Sequence, residues 1–465
     1  MNWTKREFLF AGTALSFAAC SPKVAPARHA KVIILGAGLS GLNAARLLAA
    51  EGIDVLVLEA GERIGGRMYT LDDLEGSPEA GGEQVGQSYA RIRSTAEDLG
   101  LKVVPPAPGG SREKTLVLND KTFNAQEWAS HADNPFPAPL KPFTPDTALF
   151  MASMRDNPLT DEDSWRKLAA NADISAADFL AKKGLGPDSQ RLIDIALNAN
   201  ALDTYSMINV WRTLVLFQRD SGTGPSEEIE GGAQRLPESM ANSLGEGRVI
   251  TGARVTALDV DDAGASIETT NGDFRADYVI STIPLPAMRS IKINAPLHQA
   301  TRQGIDAVPY TQIQQVHLGV EDAFWEKDGL PAMMWTDTPI ERVFPVRNRN
   351  GDIVSLTCWI NGAGIRKSTT DEDWMALAED VMMKTRGAKT TARKVIRWDS
   401  EQPLFGGAYM HWAPGQVASI AKDIATPAGR LHFAGEHMSF LHTGMEGAME
   451  SGERAGFEVF DKITA

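Results

Sequence analysis

Apolar positions along this chain change period from one segment to the next. Lys31-Val32-Ile33-Ile34-Leu35 is a short β-branched run without polar alternation, the pattern of a parallel strand buried on both faces. Leu42 to Glu51 then follows a helical period, and Asp54-Val55-Leu56-Val57-Leu58 repeats the buried-strand pattern. Helices are predicted over Tyr89 to Leu99, closed by Gly100, and from Arg235 through about Leu244. The 186–218 stretch is strongly helical and apolar, with Leu192, Ile193, Val210, Trp211 and Leu214 among its apolar positions. Strand patterns occupy 249–260, 265–270, 276–283, 309–320, 353–359 and 431–433, and a last helix follows Thr443. The Pro-rich 133–145 stretch reads as a loop.

The turn between the first strand and helix carries Gly36-Ala37-Gly38-Leu39-Ser40-Gly41. In this βαβ setting Gly36 makes the tight turn, Gly38 admits the backbone to a pyrophosphate, and Gly41 lets helix pack on strand. The helix N-terminus at Leu39 and Ser40 offers N–H groups and a positive dipole end to phosphates. Glu59, at the end of the second strand, is placed to accept from ribose hydroxyls. Two strands, the glycine turn and the acid in register predict a dinucleotide site.

Length and charge narrow the class. At 465 residues the chain exceeds one ordinary core, and 43% hydrophobic with 23% charged residues excludes a disordered or collagen-like chain. A net charge of −14 supplies no cationic field for nucleic acid, so no nucleic-acid partner is expected. Two cysteines, Cys20 and Cys358, cannot build a disulfide framework or a CxxC zinc site. Cys358 lies in a buried-strand pattern and reads as inert core. No HExxH occurs, and His432, His437 and His442 recur every five residues, off a single helix face, so no metal site is expected.

Beyond Glu59 the chain runs Ala60-Gly61-Glu62-Arg63-Ile64-Gly65-Gly66-Arg67. Glu59, Ala60, Arg63, Gly65, Gly66 and Arg67 resemble the hallmark of the flavin-dependent amine oxidase family, related to monoamine, L-amino acid and polyamine oxidases. The resemblance implies FAD, with the Gly-Gly-Arg segment along its phosphates and flavin; as plain surface charges, Arg63 and Arg67 would leave the double glycine without a reason. Gly61 departs from the basic residue many members carry there. A second flavin segment is matched by Glu79-Ala80-Gly81-Gly82-Glu83-Gln84-Val85-Gly86, and a third by Glu230 to Leu236. By the same resemblance the backbone at Val255 holds the adenine, and Ser281, Thr282 and Pro284 lie near the phosphates. Leu431 to His437 and Thr443 to Ala455 match the closing segment, which places Gly435, Glu436, Gly444 and Met445 at the flavin. The N-terminus of the last helix would then face the flavin pyrimidine, where negative charge gathers on reduction.

The implied fold is α/β: a discontinuous Rossmann-type FAD-binding domain at 30–105, 226–290 and 396–462, with an interleaved α+β substrate-binding domain at 106–225 and 291–395. The resemblance also sets expectations for the reaction. Aligning Phe405-Gly406-Gly407-Ala408-Tyr409 puts Tyr409 at the first ring of the family's amine-framing pair, with Gly444 at the second. Phe440 and Trp412 are candidates to replace the missing ring. Ala408 stands where monoamine oxidases bind FAD covalently, so FAD is expected to be non-covalent. Gln315 falls on the position of a lysine linked to oxygen reactivity, which predicts slow reaction with oxygen and leaves an unidentified carrier as the other candidate electron acceptor. Gln84 replaces the carboxylate-binding arginine of one L-amino acid oxidase branch, and Glu83 is either an attractor for a cationic amine or a solvated carboxylate. The expected substrate is a small amine. L-amino acid oxidation, a desaturase or porphyrinogen oxidase reaction, and a non-catalytic flavoprotein remain open, as does the oligomeric state, a homodimer included.

Met1 to Phe8 is polar, Leu9 to Ala19 is an apolar run, and Cys20 follows. Eleven helical residues span about 16 Å against a bilayer core of about 30 Å, so the run reads as a secretory signal (1–19) before a tether (20–29). Thr4-Lys5-Arg6-Glu7-Phe8-Leu9 resembles a twin-arginine signal, and Ser16-Phe17-Ala18-Ala19-Cys20 resembles a lipobox. Export to the periplasmic side with a lipid anchor at Cys20 in the outer membrane is the expectation; secretion with cleavage near Ala19 is the alternative.

Overall fold

Val32, Ile33, Ile34 and Leu35 are each 1% exposed or less, so burial on both faces explains why this run has no polar alternation. The protein was analysed as a computed structural model that describes residues 27–168, 170–195, 197–365 and 370–465. The predicted signal, Cys20 and residues 21–26 of the tether lie outside the described residues. In chain order the site-building elements open with β1 (Arg28–Leu35), α1 (Leu39–Ala50), β2 (Val55–Leu58) and α2 (Ala90–Asp98). Next come β3 (Thr115–Leu118), β4 (Lys121–Asn124), α3 (Pro145–Ser153), α4 (Pro187–Ile195), α5 (Met207–Arg219) and α6 (Arg235–Ser243). The strands β5 (Val249–Ile250), β6 (Val255–Val260), β7 (Ala265–Thr269), β8 (Gly272–Ser281) and β9 (Lys292–Asn294) follow. After them come β10 (Ile313–Val320), β11 (Met334–Thr336), β12 (Arg342–Arg347), β13 (Ile353–Asn361), α7 (Asp371–Arg386) and β14 (Thr390–Trp398). The chain closes with β15 (Leu431–Phe433) and α8 (Gly444–Thr464).

Eight strands form one sheet in the order β9-β6-β7-β8-β1-β2-β5, with β15 beside β8. The central pairs β1–β2, β1–β8 and β8–β15 are parallel. Leu35 stands opposite Leu58 and Ser281, and Ser281 opposite Phe433, so these strands end at one edge. The residues that follow them, Gly36, Glu59, Thr282 and Ala434, therefore converge at the carboxyl edge, where open α/β sheets bind ligands. Arg28 and His29, assigned to the tether by sequence, already belong to β1: they pair with Phe274 and Arg275, and Asp277 meets both His29 and Lys31.

Small residues let α8 lie close along α1. A Cβ on Gly452 would stand 2.2 Å from the Ser40 carbonyl oxygen. Asn43 Nδ2 donates to the Met449 carbonyl at 2.8 Å, and the Gly435 N–H donates to Ser451 Oγ at 2.9 Å. Glu446 reaches from α8 to the uncapped start of α2, where it accepts from the N–H groups of Arg91 and Ile92 at 3.0 and 3.1 Å.

The second large sheet has the order β14-β10-β13-β12-β11-β3-β4. Trp374, Ala378, Val381 and Met382 of α7 pack over Val316, Leu318, Cys358 and Ile360 on one face. The loop around residues 73–80 ties to this sheet: Ser355 Oγ donates to the Glu75 carbonyl and Trp398 Nε1 to the Ala80 carbonyl, at 3.0 and 2.7 Å. Cys358 is buried in the sheet, and burial pushes its thiol up to about 12.

The apolar stretch 186–218 holds two helices, α4 and α5. Between α4 and α5 the chain turns through Asn198 and Asn200, and Ser206 Oγ then caps α5 by accepting from the Ile208 N–H. At the end of the Pro-rich loop, Pro145 opens α3 from its first turn, where its missing N–H has no intrahelical partner to lose. Among the described residues, no helix is long and apolar enough to cross a membrane.

Candidate active site

A cavity opens at the carboxyl edge of the eight-stranded sheet, with about 1260 Å³ of empty space including that continuous with solvent. Gly36, Gly38, Leu39, Ser40, Glu59, Ala60, Gly66, Arg67, Gly82 and Val255 line it, with Tyr409, Gly435, Glu436, Gly444 and Met445 beyond. Of the other residues expected there, Gly41, Arg63, Gly81, Glu83 and Ser281 are not in its wall, whereas Thr282 and Pro284 are.

The glycines of the first turn differ in what surrounds them. A Cβ at Gly36 would stand 2.4 Å from Thr282 Oγ1, and one at Gly41 2.1 Å from the Gly36 carbonyl oxygen. Both glycines are required by the protein's own packing. A Cβ at Gly38 would meet nothing within 4 Å, so that position opens onto the cavity. Gly38 precedes α1 without a side-chain cap, and no acidic residue stands in the first turn of the helix, which leaves its N–H groups for an anion. Glu59 fixes this geometry: its two carboxylate oxygens accept from the N–H groups of Ala37 and Gly61, both at 2.8 Å. Each oxygen keeps a further acceptor site.

At the other end, Arg67 Nη1 donates to the Ala408 carbonyl at 2.9 Å and stands 3.9 Å from Glu436 Oε2. That oxygen is sealed from solvent and has no hydrogen-bond partner among the described residues. Burial raises the Glu436 pKa, with Arg67 and Arg212 opposing. The N-terminus of α8 carries no side-chain cap, and Met445 at its first turn touches the space where a Cβ on Gly82 would lie. These unfilled donors and the orphaned carboxylate oxygen fit a bound dinucleotide with a polar ring system.

Arg63 has a different task. Its guanidinium donates to the carbonyls of Ile64, Gly66 and Met68 and lies 4.2 Å above the Tyr69 ring, so it clamps the Gly-Gly turn from behind. Gly81 is needed because a Cβ there would stand 1.9 Å from the Arg67 carbonyl oxygen. Glu83 reaches solvent from a recess, where burial, with Glu228 and Glu79 adding, pushes its carboxyl up to about 7. Glu79, also at about 7 through burial, accepts from Thr70 Oγ1 and from the Ala233 N–H.

A family model described as flavin containing amine oxidoreductase matches residues 39–459. The chain belongs to this family. It is an FAD-dependent oxidoreductase of the amine oxidase type. A flavin-containing amine oxidase of Danio rerio is 27% identical over 458 residues, covering 92% of this chain and 85% of the relative. An L-amino-acid oxidase of Siganus canaliculatus is 25% identical over 462 residues, covering 94% and 86%. Among solved structures, cyclohexylamine oxidase from Brevibacterium oxydans matches with a TM-score of 0.77 at 22% identity, over 94% of this chain and all of that one. Putrescine oxidase matches with a TM-score of 0.73 at 21% identity and the same coverage. At these identities the structural likeness speaks for the fold.

In this amine oxidoreductase Tyr409 lies in the cavity wall, and its hydroxyl donates to the Asn198 carbonyl at 3.2 Å. Burial raises its pKa, so the phenol stays neutral. Gly444 leaves open space at the second ring position, since a Cβ there meets nothing within 4 Å. Neither proposed substitute fills it. Arg166 covers the Phe440 ring at 4.0 Å, Trp412 packs 6.0 Å from Trp165, and neither lines the cavity.

Gln315 is likewise not brought into the cavity wall: it is fully buried on β10, where Oε1 meets His317 Nε2 at 3.2 Å. His432 pairs with Glu458, His437 is pushed down to about 3 by burial and Arg67, and His442 lies against Arg219. None of the three lines the cavity.

A second cavity adjoins the Tyr409 end. Lys114, Asp146, Asn198, Tyr205, Trp335 and Arg342 are among its lining. Sequence patterns missed Asn198, Tyr205 and Arg342, which come from the α4–α5 link and from β12. A strand arginine amid apolar residues, in Glu341-Arg342-Val343-Phe344, was the one available signal.

Proposed function

We propose that this flavoprotein oxidises the C–N bond of a small primary or secondary amine to an imine, which water then hydrolyses. FAD, held without a covalent bond because Ala408 offers no thiol, supplies the acceptor for the hydride equivalent at its flavin N5. The observation that carries this reading is the cavity itself. It runs from an uncapped helix start at Gly38 to a neutral tyrosine at 409, through a strand edge built for a dinucleotide. On this reading residues 30–105, 226–290 and 396–462 hold the cofactor, and 106–225 with 291–395 hold the amine.

The protein's own groups orient and desolvate. Arg67 fixes the backbone one residue before Tyr409, and Asn198 fixes the phenol, so the ring is held from both ends. An amine gives up hydride only as the free base, and the surroundings favour neutral forms. Gln315, a neutral amide where the resemblance expects the oxygen-linked lysine, is buried on β10 outside the cavity wall, so no cation comes from that position. Slow reaction with oxygen, with electron delivery to another acceptor, is part of the proposal.

The test is anaerobic. Purified protein is mixed with panels of amines, polyenes and porphyrinogens while the flavin absorbance is followed. Bleaching by amines is expected. Bleaching by a polyene or porphyrinogen alone would replace the reading with a desaturase one, and bleaching by none would make the protein a non-catalytic flavoprotein. Peroxide released with air present should be slow; a rate matching that of efficient amine oxidases would overturn the Gln315 argument. Export with lipidation of Cys20 belongs to the same proposal. Cys20→Ser should move the protein from the outer-membrane fraction to the soluble one, and unchanged fractionation would contradict it.

A further inference from the structure

The second cavity has about 790 Å³ of empty space, counting that continuous with solvent. It is joined to the first through one residue. The Asn198 carbonyl accepts from Tyr409, while Asn198 Oδ1 accepts from Arg342 Nη2 at 2.7 Å. Arg342 therefore stands one residue's width behind the tyrosine that faces the cofactor cavity. Its Nε is sealed from solvent and has no hydrogen-bond partner among the described residues. A guanidinium keeps its charge in proteins, so an unused buried N–H here is a directed, charged donor.

The charges around it do not cancel. Lys114 and Asp146, which also line the cavity, are paired with each other. Glu341, the neighbour in sequence, is engaged elsewhere: its Oε2 accepts from the Asn361 N–H at 2.9 Å. Burial pushes its carboxyl up to about 8, with Asp194 adding and Arg342 opposing. Glu341 also has a φ of +52°, a left-handed conformation costly for a non-glycine residue. That kink directly precedes Arg342 at the start of β12. Phe344 and Trp359 lie 5.8 and 5.9 Å from the guanidinium, so an apolar wall flanks the charge.

We infer that this chamber holds a carboxylate of the substrate, and that the protein prefers amines carrying an acid group several atoms from the oxidised carbon. The inference rests on the amine reading above and names the substrate class of that same site. The carboxylate accepts from Arg342 Nε and from a guanidinium N–H that Asn198 leaves unused. An α-carboxylate, one bond from the reacting carbon, would lie on the cofactor side of Tyr409. Arg342 lies on the far side of Tyr409, and Gln84 is exposed and outside the cavity wall.

The test uses the FAD-loaded enzyme and matched pairs of probes: straight-chain ω-amino carboxylates against n-alkylamines of equal length. Anaerobic flavin reduction gives kcat/KM for each. A preference of about tenfold or more for the acid member is expected, carried mainly by KM. Arg342→Gln should collapse that ratio towards one, and Arg342→Lys should restore part of it. In a second readout, hexanoate should perturb the flavin absorbance of the unreduced wild-type enzyme and fail to do so in Arg342→Gln. Equal rates for both members in the wild-type enzyme would overturn the inference while the amine reading stands. Reduction by no amine of either kind would remove the amine reading itself. A preference unchanged in a yellow, folded Arg342→Gln would overturn the role of the arginine.

Discussion

Gly38 and Gly41 lie three residues apart in one turn, yet they answer to different partners. Gly41 is crowded by the protein's own backbone, with the Gly36 carbonyl 2.1 Å from a Cβ, whereas Gly38 faces open cavity. Gly41→Ala should therefore destabilise the protein even without cofactor, by roughly 1–3 kcal/mol of overpacking. Gly38→Ala should leave the thermal midpoint of the apoprotein in place and weaken FAD binding by about tenfold or more, read by fluorescence titration. A Gly38→Ala apoprotein that melts much earlier would contradict this division. Glu341 gives a pH prediction at the same scale. A carboxyl whose pKa rises on folding holds its proton more tightly folded, so its contribution is present at low pH. That contribution is lost as pH rises from the unfolded value of about 4.3 towards about 8. Glu341→Gln should flatten the decline of the melting temperature between about pH 5 and about pH 9, and an unchanged slope would contradict it. The glycines were legible because a backbone turn admits few residue types. Arg342, Asn198 and Tyr205 were not, because their meaning arises only when β12 and the α4–α5 link meet in space.

At the scale of elements, α8 does more than complete a helix layer. Its buried Glu446 terminates α2 by taking two backbone N–H groups, with Arg91 Nη1 at 3.3 Å, and Glu450 holds the 440–442 turn through three more. Glu446→Ala would leave two N–H groups without their acceptor, while Arg91 would keep Glu453, a loss of roughly 3 kcal/mol. The measurement is the denaturant midpoint of the FAD-loaded protein; a shift near zero would mean that α2 is anchored by other contacts. The small-residue face of this helix was readable from Ala448, Ser451, Gly452 and Ala455, since only close packing calls for that series. Periodicity marked the 186–218 stretch as helical but did not register the polar link between its two helices. Ser206 as a cap and the two asparagines before it were the missed signal. Gln315 shows the converse limit: counting along a strand gave a position in a motif, but not where the side chain goes.

Over the whole molecule, the eight-stranded α/β part was legible because its motifs answer to one demand, a strand edge where four loops converge around one cavity. The seven-stranded sheet has no such ligand-imposed grammar. Its alternation of apolar residues announces a core and says little about which substrate the core encloses. Among the described residues, the 73–80 loop is tied to the seven-stranded sheet by specific bonds such as Trp398 to Ala80 and Lys394 to Asp73. The central claim is that FAD in this cavity takes two electrons from an amine. Its most direct test is an anaerobic titration of the purified yellow protein with a carboxylate-bearing amine. One equivalent of amine should bleach one equivalent of flavin and release a carbonyl product and a nitrogen-containing one. A flavin that dithionite bleaches but no amine does would contradict the account.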